Sequence, residues 1–331
     1  MKKYKAAIIG CGRIGSEFGD KSDKKNICSH TGAYFHNPGT EVVTVCDANK
    51  EKLNACKRKW GINSVYTDYA RMLRNEEIDI LSIATPADTH YSIIKEASKF
   101  PVKAIYCEKP ISNKVESAEK AVKICKDKKI LLFINHQRSF SPFYRELQKK
   151  LRNGSLGEVQ QVNCYYTRGI LNTGTHIVDL LFFLLGSSEW VFSAFSRNKS
   201  PFETDPNLDT MIKFKSGPIA TLKPCDDSCY LILELEILTT LCLIRLGKEL
   251  EYFKAVSGKN LLRAKELVRS ERYPFRFAYA APSLSHAVEH IIKCLRKKEK
   301  PLSSGEHATH TLAVIQAMLA SANQGKKKFV D

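Results

Sequence analysis

The run Tyr4-Lys-Ala-Ala-Ile-Ile-Gly10-Cys-Gly12-Arg13-Ile14-Gly15 sets three glycines at a spacing suited to holding phosphate groups. Gly10 permits a tight turn, Gly12 lets backbone approach a pyrophosphate, and Gly15 lets a following helix lie close on a sheet. A helix starting there would aim free N–H groups and its positive dipole end at the same phosphates. Asp47 supplies the second half of such a site. It closes the run Glu41-Val-Val-Thr-Val-Cys-Asp47, where a carboxylate accepts hydrogen bonds from both ribose hydroxyls and repels a 2′-phosphate. These residues predict a bound dinucleotide, NAD rather than NADP. The alternative for Asp47 is a cap on a helix over 48–60. Gly15 and Asp47 stand 32 residues apart, against about 20 in the usual fingerprint. The segment 18–28 therefore reads as an insertion, and Asp20, Lys21, Asp23, Lys24 and Lys25 make it an exposed loop near the cofactor's mouth, with no role assigned.

These groups need a scaffold that brings strand ends together. Apolar residues 6–9 suit a buried parallel strand, and 81–85, 103–108 and 130–134 repeat the pattern, with helices expected over 88–99 and 112–129. That alternation is the βαβ rhythm of a doubly wound parallel sheet, a Rossmann domain over 1–134. Ligands bind outside the carboxyl ends of such strands, where Thr85, Glu108 and Lys109 fall. Beyond 135 the pattern changes. A helix over 141–153 precedes strand-like runs at 159–166, 191–195, 210–214, 219–222, 231–237 and 241–246. A helix over 175–185 lies among them, and helices over 283–297 and 304–324 close the chain. The expectation is a second α/β domain, 135–331, with a large open, mostly antiparallel sheet and its helices on one face. A bare face of that size tends to pair with another subunit, giving a homodimer or homotetramer.

With 331 residues and 43% hydrophobic content, the chain can bury two sizeable cores. Met1-Lys-Lys-Tyr-Lys leads into only four apolar residues before glycine, too short for a signal peptide. The apolar stretch 180–185 is far short of a membrane span. Eleven cysteines scatter without paired spacing, as in a reducing cytoplasm. Cys225-x-x-x-Cys229 has no second pair or nearby histidines, so no metal is expected. The net charge of +17 could suggest nucleic acid, but the lysines are strewn through helices (Lys120, Lys123, Lys126, Lys128, Lys129) without interleaved aromatics. A positive field instead favours an anionic small molecule.

Further motifs extend the pattern: Ala84-Thr85-Pro86-Ala-Asp-Thr-His90, Glu108-Lys109-Pro110, Gly174-Thr175-His176-Ile-Val-Asp179-Leu, and the closing Ser304-Gly-Glu-His-Ala-Thr-His-Thr-Leu-Ala-Val. With the glycine run and Asp47, they make the chain resemble the Gfo/Idh/MocA oxidoreductases, the sugar and cyclitol dehydrogenases related to glucose–fructose oxidoreductase and inositol dehydrogenase. The resemblance spans almost the whole length. It implies hydride transfer between nicotinamide C4 and a carbinol or ketone carbon of a sugar, sugar nucleotide or cyclitol. It also implies cofactor contacts from Gly10, Gly12, Arg13, Ile14, Gly15, Asp47, Thr85, Pro86, His90, Glu108 and Lys109.

Such a reaction needs a proton partner, and the resemblance points to Lys109 and His176. Burial and a nearby cation can lower an ammonium pKa towards neutrality, and an imidazole already titrates near 6.5 in approximate terms. Many family members carry Asp four residues before the histidine, whereas this chain has Asn172. Asparagine hydrogen-bonds a hydroxyl but takes no proton. Asn172 and Thr175 are implied as substrate contacts, and Asp179 as a structural residue. Arg138, where the first domain hands over to the second, could clamp a carboxylate or phosphate, or form an interdomain salt bridge. Tyr165 and Tyr166 alternate on a strand, so at most one sees the site. A non-catalytic dinucleotide sensor of the same fold is the alternative function, encouraged by Asn172.

Overall fold

The computed structural model describes residues 3–19, 27–258, 264–280 and 283–330. Contacts divide the chain into two units, Met1–Ser141 with Ala281–Thr309 and Pro142–Ala280 with His310–Asp331. The division departs from the expected boundary at 134/135 in two places, since residues 135–141 stay with the first unit and Ala281–Thr309 comes back to it. The segment before Thr309 returns to the first unit because the helix Leu284–Leu295 buries Leu284, Ala287, Val288 and Ile291 in that unit's core, beside Tyr34, Phe133 and Phe140.

In the first unit the strands are β1 (Tyr4–Ile9), β2 (Thr40–Cys46), β3 (Ser64–Tyr66), β4 (Ile80–Ile83), β5 (Ala104–Cys107) and β6 (Leu131–Ile134). They form one sheet in the order β3-β2-β1-β4-β5-β6, with every pair parallel. Strands β4 and β5 are buried at every residue, which is why they read as continuous apolar runs. The helices are α1 (His30–His36), α2 (Lys50–Trp60), α3 (Tyr69–Asn75), α4 (Ala87–Ala97), α5 (Val115–Asp127) and α8 (Leu284–Leu295). α4 buries His90, Ile93, Ile94 and Ala97, one stripe of a 3.6-residue period. The doubly wound sheet expected from the sequence is present.

The second unit begins with α6 (Pro142–Arg152), then β7 (Val159–Tyr166) and α7 (Thr175–Leu185). Strands β8 (Ser188–Phe195), β9 (Leu208–Phe214), β10 (Ile219–Pro224), β11 (Leu233–Thr239), β12 (Cys242–Leu246), β13 (Leu250–Ser257) and β14 (Lys265–Arg269) follow. α9 (Gly305–Gln324) and β15 (Lys328–Phe329) end the fold. The nine strands run β14-β13-β12-β11-β7-β10-β9-β8-β15, antiparallel except for the parallel pair β7 and β10. One face is buried through Val162, Cys164, Ile212, Leu222, Leu235 and Ile237, with Ser321 of α9 accepting from the Ser193 amide at 2.9 Å. The other face carries Phe192, Met211, Thr221, Asn163, Glu236, Arg245 and Glu251 in register across seven strands. Among the described residues no helix is long and apolar enough to cross a membrane.

Candidate active site

At the glycine run, each glycine has its own reason. Gly10 adopts φ +98°, and a Cβ there would stand 2.5 Å from the Ala84 carbonyl oxygen. A Cβ on Gly15 would stand 1.9 Å from the Gly10 carbonyl oxygen. Both are glycine because the protein's own backbone comes too close. Gly12 is different: among the described residues, its Cβ would meet only the Lys52 ammonium within 4 Å, at 3.8 Å. That open approach fits a dinucleotide pyrophosphate.

The full helix expected after Gly15 is replaced by one wide turn, Arg13–Glu17, in which Ser16 and Glu17 N–H both donate to the Gly12 carbonyl (2.8 and 3.1 Å). The turn stops at Phe18 because the Lys59 ammonium donates to the carbonyls of Ser16, Glu17 and Gly19 (3.1, 2.9 and 2.7 Å). The helical path resumes in α1, whose Thr31 hydroxyl donates to the Gly15 carbonyl at 2.8 Å. Of the inserted loop, 20–26 lie outside the described residues. Arg13 is exposed, its guanidinium 4.9 Å over the Phe18 ring, and Ile14 is half-buried against the core.

Asp47 ties this turn to β2. Its Oδ2 accepts the Cys11 N–H (2.7 Å) and its Oδ1 the Asn49 N–H (2.8 Å). The cap of α2 is Asn49, which accepts from Glu51 and Lys52 N–H (2.9 and 3.1 Å), so the helix-cap alternative for Asp47 is corrected. Each carboxylate oxygen keeps a second lone pair for a hydroxyl.

The other strand ends gather a buried polar network. Glu108 Oε1 contacts His30 Nε2 (2.8 Å) and accepts from Asn135 Nδ2 (2.5 Å), while Oε2 accepts the Lys109 N–H (3.3 Å). His30 Nδ1 meets Ser82 Oγ at 2.5 Å, and the Tyr106 hydroxyl donates to Asn135 Oδ1. Burial pushes the Glu108 carboxyl up, but the hydrogen bond and charge of His30, the Asn135 amide and the Lys109 charge outweigh it and hold it below its ordinary 4.5. Ser82, His30 and Glu108 have the connectivity of an acyl-transfer triad. Ser82 is fully buried within β4, so no substrate reaches it as a nucleophile.

His90 is a correction. The sequence places it among the cofactor contacts, but it is fully buried with Nδ1 and Nε2 each 2.9 Å from a carbonyl, Pro110 and Thr85. It clamps the loop after β4 to the one after β5, where Lys109–Pro110 is cis. Burial lowers its pKa despite the raising effect of those bonds and the Glu108 charge. Thr85 Oγ1 meets Thr89 Oγ1 at 2.7 Å, and Pro86 precedes α4. Arg138 lies in the short turn Gln137–Phe140 just after β6, whose Asn135 N–H donates to the Cys107 carbonyl (2.8 Å). Its Nε is buried without a hydrogen-bond partner, and no ion pair to it occurs among the described residues.

In the second unit, Asn172 lies on the turn Gly169–Gly174 that leads into α7. Asp205 holds this turn, accepting Leu171 and Asn172 N–H at 2.7 and 2.8 Å, and Asn207 Oδ1 accepts Gly169 N–H at 2.9 Å. Gly169 sits at φ +82°, with Asp205 2.1 Å from where its Cβ would be. Asn172 is exposed and His176 half-buried, but Thr175 is 2% exposed. The expected substrate contact from Thr175 is therefore corrected to a helix-start residue facing inward. Tyr166 is buried, its hydroxyl donating to the Leu208 carbonyl (3.0 Å) and accepting Leu208 N–H (2.8 Å), which leaves Tyr165 as the half-exposed member of that pair. Asp179 is buried one helical turn beyond His176.

Sequence reasoning missed His30, Asn135, Asp205 and Lys52. None carries a spacing signal: His30 follows an insertion, and Asp205 acts on a turn 33 residues away. Among the described residues no group of three or more His, Cys, Asp and Glu could hold a metal ion, and Cys225 and Cys229 are free.

Residues 4–136 match the oxidoreductase family described as an NAD-binding Rossmann fold, and 169–329 match its C-terminal alpha/beta domain. The chain belongs to the Gfo/Idh/MocA oxidoreductase family. A D-apiose dehydrogenase of Paraburkholderia graminis is 26% identical over 351 aligned positions, covering 98% of this chain and 89% of that protein. A scyllo-inositol 2-dehydrogenase (NAD(+)) of Bacillus subtilis is 23% identical, covering 98% and 95%. The crystal structure of the WlbA dehydrogenase from Bordetella pertussis, in complex with NADH and UDP-GlcNAcA, superposes with a TM-score of 0.78 at 23% identity, covering 100% and 99%. As a member of this family the chain is an oxidoreductase with an NAD-binding domain.

Proposed function

We propose that this oxidoreductase uses NAD to oxidise a hydroxyl, or reduce the matching ketone, on a sugar, sugar nucleotide or cyclitol. Gly12 carries the reading: no neighbouring backbone among the described residues requires glycine there, so the missing side chain leaves room for something from outside. A nicotinamide dinucleotide held on this turn supplies hydride acceptance and donation at its ring. Gly12 and the turn after it face the pyrophosphate, and Asp47 accepts the ribose hydroxyls, which favours NAD over NADP. Thr85, Pro86 and Glu108 line the same carboxyl edge. Lys109 takes or returns the hydroxyl proton, and His176 is the second group whose chemistry suits that task.

Arg138 serves the substrate in this account. Its buried, unpartnered Nε supports a clamp for a carboxylate or phosphate over a structural salt bridge. Asn172 orients a substrate hydroxyl. The names of the relatives, which act on apiose and inositol, and of the neighbour bound to UDP-GlcNAcA support the substrate class. The sheet's open face joins a second copy of the chain. The free, mostly buried thiols suit a reducing cytoplasm.

The test is a panel of sugars, nucleotide sugars and cyclitols incubated with the protein and NAD+ while nicotinamide absorbance is followed. At least one substrate should be turned over, and Lys109→Ala should lower its kcat about a hundredfold or more with NAD+ binding kept. Wild-type turnover in the variant would remove Lys109 from the mechanism.

A further inference from the structure

The helix that follows the ribose carboxylate does more than shape the sheet. One face of α2 rests on the glycine turn and the residues just after it: Lys59 donates to the carbonyls of Ser16, Glu17 and Gly19, Trp60 Nε1 donates to Ser16 Oγ at 2.9 Å, and Cys56 is buried in the same core cluster as Cys11. Lys52 is one turn before Cys56 on that same face. Among the described residues, chain neighbours aside, its ammonium is the one group within 4 Å of the space a Gly12 side chain would fill, at 3.8 Å.

The two lysines of this face are in opposite states. Lys59 has three acceptors for its three N–H donors. The Lys52 ammonium has no hydrogen bond or ion pair among the described residues, and Asp47 is already engaged by the Cys11 and Asn49 amides. The turn beside it is a single five-residue turn, which carries only a fraction of a full helix dipole. A dianionic pyrophosphate arriving over Gly12 would meet little fixed positive charge from the backbone, and Arg13 is directed over Phe18.

We infer that Lys52 is a phosphate contact of the bound dinucleotide, its ammonium compensating for the helix that the insertion interrupts. This rests on the dinucleotide reading above. The phosphate can come from two sources, the pyrophosphate shared by both cofactors or the 2′-phosphate of NADP. The placement over Gly12, where the pyrophosphate approaches, favours the first.

The experiment is a calorimetric titration of the full chain and of Lys52→Met and Lys52→Arg with NAD+ and with NADP+, at low and at moderate salt. Lys52→Met should weaken NAD+ and NADP+ alike, about tenfold in Kd at low salt, with less loss at higher salt and an unchanged melting temperature. Lys52→Arg should restore most of the affinity. Loss confined to NADP+ would assign the ammonium to the 2′-phosphate and keep the phosphate contact. Wild-type affinity of Lys52→Met for both cofactors would overturn it. If the wild-type chain binds neither cofactor, the dinucleotide reading falls first and takes this one with it.

Discussion

Glu108 shows how a single side chain links stability to the site. Its carboxyl is held below the ordinary 4.5 by His30, Asn135 and Lys109 working against burial. A folded-state pKa below the unfolded one contributes stability that is complete above 4.5 and is lost as pH falls through the folded value. Denaturant unfolding of wild type and Glu108→Gln should therefore differ most near neutrality, and the difference should shrink on acidification. A difference that stays constant or grows would contradict the network. The sequence pointed to Glu108 through Glu-Lys-Pro, yet it could not reveal His30, 78 residues away, whose contact exists only because α1 packs beside β1 and β4. His90 illustrates the converse. Its motif was legible, but its role was not, because a buried ring with two carbonyl partners and an exposed ring facing a cofactor read identically in sequence.

At the scale of elements, the strands were legible wherever burial on both faces made them continuously apolar, as in β1, β4 and β5. β13 and β14 were not expected. β14 is exposed at every position and β13 buries one residue of eight, so neither shows a strong alternation. The glycine run announced a helix and the structure has one turn, because Lys59 takes its last carbonyls. In the second unit, a loop aspartate governs the turn before α7. Asp205→Ala would strip two partly buried N–H groups of their acceptor, at a cost of about 1–3 kcal/mol. Hydrogen exchange at the Leu171 and Asn172 amides should accelerate while NAD+ affinity is retained. Unchanged exchange at both would show that Asp205 does not hold the turn.

Across the whole molecule, the two units were anticipated in kind, while the return of α8 to the first core was not, since nothing in an apolar helical stripe says which core it joins. The open face of the nine-stranded sheet grades from Phe192 and Met211 through a Thr221–Asn163 hydrogen bond (2.7 Å) to the ionic row Glu236, Arg245, Glu251 and Arg269. In the proposed dimer this face, with its apolar end and alternating charges, would meet a second copy of itself across a two-fold axis. Met211→Lys should shift sedimentation towards the monomer, and an unchanged oligomer would place the interface elsewhere. The central claim, that this fold is built around an external dinucleotide, is tested most directly by titrating Gly12→Ala with NAD+ while recording its melting temperature. The account predicts an unchanged melting temperature, because that Cβ meets no backbone, together with affinity weakened at least about tenfold. A Gly12→Ala protein that binds NAD+ like the wild type would contradict it.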